Sequence, residues 1–557
     1  MIKKKGGKAE VLKQNRFIHM KEGLARACEA LVVGKIKEPL LDQSTIFQIG
    51  GQRNHSLEEH VFTLKSLIGL MEYRGDGLIL TLVDIISFFD REDILDIMET
   101  FYKKKINKKA ARLWYKLSEN TEIRVKTAVG MSKTAKVGAV VGQGSSGAAL
   151  ASQAMVDSGL EEYFAGSAEE MYYGGVRVET AAYQDDICKP NSDTISAQIG
   201  MTRLSAMLAE RGLEAHEDKT GYILFGSDEF KKNRKRELDK MPLNFGSFKV
   251  KQKSQDKYLG QVLHQGGLAQ SVKSTIMDRV GKVKGAIYLT KQVIETVQMQ
   301  AISGMMAAKE IWERAIVPSL LSGAGTWIES TVEAEEMCEE LQELFWRVMM
   351  EIPRSTPKVM LTAKTNCMKM KHRIWQQKLL TARSISMKEG SLAKAVYDEQ
   401  IEMGWPGLVK ECEKICEDVG LKHNHGRVKD KTDIEEYIFY HNYKEMKQEL
   451  ASYKKLEEIK NEDFREIQKY MEIKAIAKVR MAFRIRSKMV KKIKMNFKSM
   501  HSNLNCEKCE MKIEESQAHT MMCPGWEEER RGLDLHQIED TVLFFTRVLK
   551  DKGRKEK

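Results

Sequence analysis

The stretch Tyr183-Gln184-Asp185-Asp186 places two carboxylates side by side, directly after a predicted hairpin. That hairpin consists of a strand over Met171–Tyr173, a two-residue turn at Gly174-Gly175 and a second strand over Val176–Ala182. We therefore expect the acid pair at a tight turn. Two clustered carboxylates are costly unless a cation binds them, although an isolated Asp-Asp pair is more often a solvated turn.

A third carboxylate, Asp84, ends the apolar run Leu78–Val83, which predicts a buried strand. Phe88-Phe89-Asp90 follows, before a predicted helix from Glu92 onward. If this strand end lies beside the acid pair, three carboxylates converge where divalent ions could be held for phosphoryl transfer.

Three further segments lie in order along the chain. A glycine-rich loop at 142–147, which includes Gln143 and Gly144, enters a helix of small residues. Lys219-Thr220 leads into a predicted strand, and Lys257–Leu263 is another predicted short strand. Read alone, the loop fits a helix cap equally well. A lone lysine such as Lys219 is more often an ordinary surface residue.

Taken together, these segments resemble reverse transcriptase motifs A to E in order and spacing. Asn15–Ile18 resembles a degraded form of the finger motif, and Gln48–Ser56 resembles the glutamine-glycine motif of non-LTR, LINE-like retrotransposon polymerases. Ala315–Trp327 is similar to the thumb end of the same group. The resemblance covers about residues 3 to 525.

The resemblance implies an α+β right-hand polymerase with fingers, palm and thumb, a mostly helical C-terminal region and a small zinc module. The expected boundaries are fingers 1–75, palm 76–265, thumb 266–330, helical region 331–500, zinc module 501–530 and helical tail 531–557.

The resemblance also implies roles for individual residues. Asp84 and Asp185 would hold two Mg²⁺ ions, with Asp186 in a supporting position, and Lys219 would act on the pyrophosphate. The nucleotide would contact residues of the fingers and palm, and the primer a short grip segment. The expected nucleotide-binding residues are Arg16, Phe89, Gln143 and Gly144, and the expected primer-grip residues are Tyr258, Leu259 and Gly260.

Phe89 lies where the family places an aromatic ring under the sugar, which favours deoxynucleotides over ribonucleotides. The alternative interpretation is that Phe88 and Phe89 are ordinary core residues, and we expect one of the two in the core. The sequence departs from the family pattern at Phe88, at Gly51 and at Ala148-Ala149, and none of these changes removes a metal ligand.

Composition limits the class of protein. The 557 residues are 42% hydrophobic and 31% charged, which is typical of a multidomain globular protein. The start lacks an apolar signal peptide, and no apolar stretch reaches the roughly 20 residues that span a bilayer. We therefore expect an intracellular protein, in nucleus and cytoplasm, without a membrane partner.

The formal net charge of +12 favours a polyanionic partner. The excess positive charge is concentrated at 471–500, which contains ten Lys or Arg residues and a single acidic residue, Glu472. Val479 and Phe483 can face the protein in a helix there. The recurring basic residues predict either a phosphate-contacting helix or a solvated face. They are Arg480, Arg484, Lys488 and Lys491.

Nine cysteines in an intracellular chain need a reason other than disulfides. Cys506-x₂-Cys509-x₉-His519-x₃-Cys523 predicts one structural Zn²⁺ and resembles the C-terminal motif of many non-LTR proteins. Cys412 and Cys416, with His423 and His425, are a weaker candidate site, for which packing is favoured. The remaining cysteines are expected to be buried thiols: Cys28, Cys188, Cys338 and Cys367.

These observations predict an RNA-directed DNA polymerase of a LINE-like retrotransposon. Its expected partners are an RNA template, a DNA primer or target and deoxynucleotide triphosphates. We expect a fragment or truncated copy, since no segment matches an endonuclease domain. The alternative is an inactive nucleic-acid-binding remnant, and an RNA polymerase is disfavoured by Phe89 and Gln184.

Overall fold

The structure, a computed structural model, describes most of the 557 residues. The described ranges are 2–3, 15–16, 23–45, 48, 50, 55–86, 88–119, 121–127, 130–137, 145, 147–165, 171–178, 180–296, 303–453, 462–490, 493–494 and 503–555. Within them the chain mixes helices and strands, which confirms the predicted α+β class.

Seventeen strands form one larger sheet and six two-stranded ribbons in the described part of the chain. They are β1 Ile2–Lys3, β2 Asn15–Arg16, β3 Gly77–Asp84, β4 Thr121–Ile123, β5 Lys126–Thr127, β6 Gly130–Met131, β7 Ala135–Val137, β8 Met171–Tyr173, β9 Val176–Val178, β10 Ala181–Tyr183, β11 Asp186–Asn191, β12 Gly221–Gly226, β13 Asn244–Phe245, β14 Phe248–Lys249, β15 Lys251–Gln252, β16 Gln255–Tyr258 and β17 Gln261–His264.

The α-helices surround the sheet and form nearly all of the second half of the chain. They are α1 Gly23–Leu41, α2 Leu57–Arg74, α3 Phe88–Arg91, α4 Ile94–Lys103, α5 Lys108–Ser118, α6 Ala148–Phe164, α7 Thr194–Glu210, α8 Asp228–Lys240, α9 Leu268–Thr296, α10 Gly304–Ile311, α11 Val317–Leu320, α12 Val332–Met350, α13 Lys358–Thr365, α14 Met370–Ser386, α15 Leu392–Met403, α16 Leu408–Val419, α17 Lys431–Ser452, α18 Ile476–Arg486, α19 Gln517–Met522, α20 Glu527–Arg530 and α21 Ile538–Lys555.

The central sheet has the strand order β10-β11-β3-β12-β15. Strand β3 lies in the middle, antiparallel to both β11 and β12, and its residues 77–83 are buried. Leu78 and Leu80 pack in a core with Phe62 of α2, whereas Ile79 and Val83 pack in a second core built largely on α4, α6 and α7. Because both faces are covered, β3 is a continuous apolar run and does not alternate with polar residues.

The predicted hairpin is present, with one difference. Strands β8 and β9 pair around the turn at Gly174-Gly175, as expected. The predicted second strand, however, ends at Val178, and Ala181–Tyr183 forms β10 in the central sheet. The single predicted strand thus corresponds to strands in two different sheets, which alternation of side chains along the sequence cannot reveal.

Much of the second half of the chain shares one large core. Side chains from α9–α14, α17, α18 and α21 pack together in it, including Trp312, Phe345, Phe483 and Phe545, whereas α15 and α16 pack in the core that contains Phe62. Cys523 also belongs to this core. The predicted thumb, helical region, zinc module and tail therefore do not have separate hydrophobic cores. Among the described helices, none is long and apolar enough to cross a membrane.

Candidate active site

The acid pair lies in the turn that joins β10 to β11. Tyr183 pairs with Asp186, so that Gln184 and Asp185 form the two-residue turn, and Gln184 has a φ of 61°. Asp186 pairs directly with Asp84, the last residue of β3. Directly opposed residues of antiparallel strands have Cβ atoms about 5 Å apart. The register therefore brings all three predicted carboxylates to one end of the central sheet.

Lys219 lies beside these carboxylates. Its Nζ is 2.9 Å from Asp84 Oδ2 and 3.2 Å from Oδ1. The backbone holds this segment against β3, because His216 N–H donates to the Asp84 carbonyl oxygen at 2.7 Å. Lys219 therefore lies against the Asp84 carboxylate, and its side chain is 60% exposed.

The neighbouring carboxylates raise the cost of ionising Asp186. Burial, together with the charges of Asp185 and Asp84, raises the pKa of Asp186 to about 6, while Lys219 opposes the shift. A divalent cation among these oxygens would offset that repulsion, and carboxylate oxygens are ligands that Mg²⁺ accepts. The arrangement thus fits the predicted ligands Asp84, Asp185 and Asp186.

Gln48 contacts the acidic turn, a role that its motif alone did not indicate. The side chain is buried, its Nε2 donates to the Gln184 carbonyl oxygen at 3.2 Å, and its Oε1 accepts from Gln184 N at 2.9 Å. Gly50 N–H also donates to the same Oε1 at 3.0 Å. The amide of Gln48 therefore fixes the backbone that carries Asp185.

Glu92 is a second residue that the sequence did not reveal. It is buried, accepts a hydrogen bond from Ser152 Oγ of α6 at 2.5 Å, and lies near enough to Asp185 to feel its charge. Burial, together with the charge of Asp185, raises the pKa of Glu92 to about 8, while the hydrogen bond from Ser152 opposes the shift. Its surroundings therefore favour the protonated form of this carboxyl.

The predicted primer-grip residues lie on a hairpin, whereas the sequence predicted one strand. Leu259 and Gly260, with φ of 47° and 76°, form the turn between β16 and β17. Such a turn requires positive φ at both positions. Tyr258 is buried, and its hydroxyl lies 2.7 Å from His60 Nε2 and donates to the Asp186 carbonyl oxygen at 3.4 Å. This hairpin is thus bonded to the acidic strand.

Several predicted nucleotide contacts lie outside what the structure describes. Gln143 and Gly144 are outside the described residues, and Arg16 and Phe89 are described only as part of β2 and α3. Phe88 is buried in the core, as expected for one of the two phenylalanines. The small-residue helix after the glycine-rich loop is observed as α6. The nucleotide-binding roles remain predictions.

The predicted basic surface at 471–500 differs from the structure. Helix α18 covers only Ile476–Arg486, and Val479 and Phe483 are buried as expected. Arg480 is only 11% exposed and pairs with Glu295 and Glu351 at 2.7 and 3.2 Å.

Arg484, 16% exposed, donates to the Glu351 carbonyl oxygen at 2.8 Å. These two arginines therefore join α18 to α9 and α12 and do not form a free phosphate-contacting row. Lys491 lies outside the described residues, and Lys488 follows the helix with a φ of 55°.

The four predicted zinc ligands converge. The Sγ atoms of Cys506 and Cys523 are 3.8 Å apart, and Cys509 Sγ is 3.5 Å from His519 Nε2. One ligand atom from each residue lies within 4.8 Å of all the others. Two thiolates on a tetrahedral zinc with bonds of about 2.3 Å are about 3.8 Å apart. This donor set fits Zn²⁺.

The other cysteines are packing residues with one exception. Cys412 and Cys416 are fully buried in the core, while His425 is exposed and contacts Glu413, so these residues form no metal cluster in the described structure. The thiols of Cys188, Cys338 and Cys367 are buried as predicted. Cys28 is exposed on α1, so the prediction of a buried thiol there was wrong, because its position on that helix faces outward.

Comparison with known proteins gives matches of structure and none of sequence. No protein-family model and no curated protein matches the chain. The structure is similar to telomerase from Candida albicans in complex with a fragment of telomeric RNA, with 11% identity and a TM-score of 0.33 over 78% of this chain and 55% of that chain. Apo telomerase from Candida tropicalis gives 10% identity and a TM-score of 0.33 over 75% and 60%.

This chain thus spans little more than half the length of the telomerase chains it matches. Similarity at these scores carries no functional argument, so the function is inferred from the residues of this chain and their geometry.

Proposed function

We propose that this chain is an RNA-directed DNA polymerase of a LINE-like retrotransposon, which adds deoxynucleotides to a DNA 3′ end on an RNA template. One observation carries the proposal. The register of β3 and β11 sets Asp84 opposite Asp186, with Asp185 in the adjoining turn and Lys219 against Asp84. Such a group of carboxylates at one sheet end is suited to two-metal phosphoryl transfer.

The reaction joins the primer 3′-oxygen to the α-phosphorus of the nucleotide and breaks the bond to pyrophosphate. Asp84 and Asp185 would hold two Mg²⁺ ions, with Asp186 supporting them. When bound, the ions activate the attacking hydroxyl and stabilise the leaving group. The two hydrogen bonds between Gln48 and Gln184 keep the turn that carries Asp185 in one position.

Lys219 would act on the pyrophosphate. Its ammonium contacts both oxygens of Asp84. A Mg²⁺ ion held by Asp84 would compete with Lys219 for the same lone pairs. The exposed lysine side chain would then be available to neutralise or protonate the leaving pyrophosphate.

The remaining contacts are part of the same proposal. Arg16, Phe89, Gln143 and Gly144 would bind the nucleotide, with Phe89 favouring deoxyribose. The hairpin turn at Leu259-Gly260 would contact the primer. Support comes from its hydrogen bond to the acidic strand, since Tyr258 donates to the Asp186 carbonyl oxygen.

We also propose that Cys506, Cys509, His519 and Cys523 hold one structural Zn²⁺. The four donor atoms already lie within 4.8 Å of one another. A closed site of three thiolates and one imidazole would stabilise the fold when it binds zinc. We propose no separate role for this site in the reaction.

Primer extension on an RNA template with Mg²⁺ tests the proposal, with deoxynucleotides compared against ribonucleotides. We expect extension with deoxynucleotides and its loss in Asp84→Asn. The matched control is Asp418→Asn, which changes an exposed aspartate of α16 and should leave extension unchanged.

If the unmodified chain binds an RNA–DNA hybrid but never extends the primer, the polymerase proposal fails. The chain would then be the alternative, an inactive nucleic-acid-binding remnant. Extension with ribonucleotides alone would instead indicate an RNA polymerase.

A further inference from the structure

A second group of metal-binding side chains lies between α14 and α17, away from the carboxylates and the cysteines. His372 is on the first turn of α14, and His441 and Glu445 are on α17. His441 and Glu445 are four residues apart, so they share one face of that helix. One ligand atom from each of the three residues lies within 4.8 Å of the others.

The tautomer of His372 follows from its neighbours. The backbone N–H of Lys369 donates to Asn442 Oδ1 at 3.1 Å, which identifies that atom as the amide oxygen. His372 Nδ1 lies 3.0 Å from the same oxygen and must therefore donate to it. In the neutral ring the lone pair is consequently on Nε2.

That lone pair faces a carboxylate. When the ring is neutral, His372 Nε2 presents this lone pair to Glu445 Oε2 at 3.0 Å. Two lone pairs at this distance repel each other unless a cation lies between them. The cation can be a proton on the ring or a metal ion, and the His372 side chain is fully buried, where a charged ring is costly.

We propose that His372, His441 and Glu445 bind a divalent transition-metal ion, with Zn²⁺ as the expected ion, which joins α14 to α17. Two imidazoles and one carboxylate are a known zinc donor set whose fourth position is filled by water. The proposal is independent of the polymerase function.

The surroundings of the three ligands suit this role. Asn442 accepts the Nδ1 proton of His372, the contact that commonly orients a metal-bound imidazole. The Trp375 ring lies 5.4 Å from that of His372 and 5.9 Å from that of His441, between centroids, and gives the site an apolar wall.

The positive charges of two nearby lysines weaken metal binding, but the lysines contact a different oxygen of Glu445 from the one that faces His372. Lys371 and Lys369 lie 3.5 and 3.7 Å from Glu445 Oε1, the oxygen that is directed away from His372. Lys369 also pairs with Glu449 at 2.8 Å, which neutralises part of its charge. Oε2 of Glu445 therefore stays available, at a cost in affinity that the experiment measures.

The metal content of the full-length chain tests the proposal, after incubation with Zn²⁺ and removal of unbound ion. We expect His441→Ala to hold one zinc fewer per chain than the unmodified protein. The exposed His536→Ala, the matched control, should lose none. Glu445→Gln, which preserves size, should also lose one and keeps the test valid if His441→Ala fails to fold.

Co²⁺ separates this site from the cysteine site. Thiolate-to-cobalt charge-transfer absorption arises only at the cysteines, so His441→Ala should keep that absorption and lose one equivalent of cobalt. Equal metal content in the unmodified protein, His441→Ala and Glu445→Gln would overturn the proposal. The contact between His372 and Glu445 would then be an internal ion pair.

Discussion

The acidic end of the central sheet and helix α18 both have charge patterns that stand out in the sequence, but they differ in what surrounds the charges. In the sheet, Asp84, Asp185 and Asp186 lie together, and Lys219 contacts the carboxylate of Asp84. In α18, Arg480 and Arg484 contact Glu351 and backbone carbonyl groups of the same chain.

The comparison shows which charge patterns predict a site. Strand pairing fixes the neighbours of a residue, because hydrogen bonding and apolar faces select one register. A helix fixes only which residues share a face, and what packs against that face comes from elsewhere in the chain. Glu295 and Glu351 lie far from α18 in sequence, so their pairing with Arg480 had no local signal.

The largest expected effect is at the acidic end. Asp185→Asn removes a predicted metal ligand and should lower the rate of primer extension by about 10³-fold or more, in the range seen for groups that stabilise a transition state. Binding of an RNA–DNA hybrid, measured by fluorescence anisotropy, should stay within about twofold. Loss of binding together with extension would mean that the turn is structural.

The next effect tests the other region. Arg480→Ala should lower the free energy of unfolding by about 2 kcal/mol, because it removes the hydrogen bond to the Met349 carbonyl oxygen and the ion pairs with the solvent-accessible Glu295 and Glu351. The control Lys478→Ala changes an exposed position on the same helix and should alter stability by less than about 0.5 kcal/mol. If Arg480→Ala weakens nucleic-acid binding at unchanged stability, the original phosphate-contact hypothesis is restored.

A pH effect is expected at Glu92. Its folded pKa of about 8 lies above the ordinary value of 4.5, so the folded state binds more protons and stability falls as pH rises from about 4.5 to about 8. Glu92→Gln removes the titrating carboxyl and with it the loss of stability at high pH. The substitution should raise the free energy of unfolding by on the order of 2 kcal/mol at pH 8 and should change it little at pH 4.5.

Urea denaturation at the two pH values measures the change at Glu92. The control Glu161→Gln changes an exposed carboxyl of α6 and should show no such pH dependence. Equal stability of Glu92→Gln and the unmodified chain at both pH values would show that Glu92 is ionised.

The smallest expected effect is at Gln48. Gln48→Ala leaves the N–H and carbonyl group of Gln184 without these partners, and the turn that carries Asp185 becomes less ordered. We expect about a tenfold fall in kcat with little change in KM for the nucleotide. A change in KM alone would show that Gln48 contributes to nucleotide binding and not to the geometry of the turn.

Local patterns in the sequence determined several elements of this protein. Alternation and turn residues predicted the hairpin around Gly174-Gly175, the apolar run predicted β3, and ligand spacing predicted the convergence of Cys506, Cys509, His519 and Cys523. Each of these depends on residues close together in the chain, where spacing limits geometry directly.

Tertiary structure decided the rest. The contacts of Gln48 with Gln184, of His372 with Glu445 and of Arg480 with Glu295 each join residues far apart in sequence. Composition and periodicity do not record which distant segments pack together, because packing depends on the combined shape and charge of both surfaces. The sequence therefore supplied the candidate ligands, and the fold decided which of them lie together and which distant residues they contact.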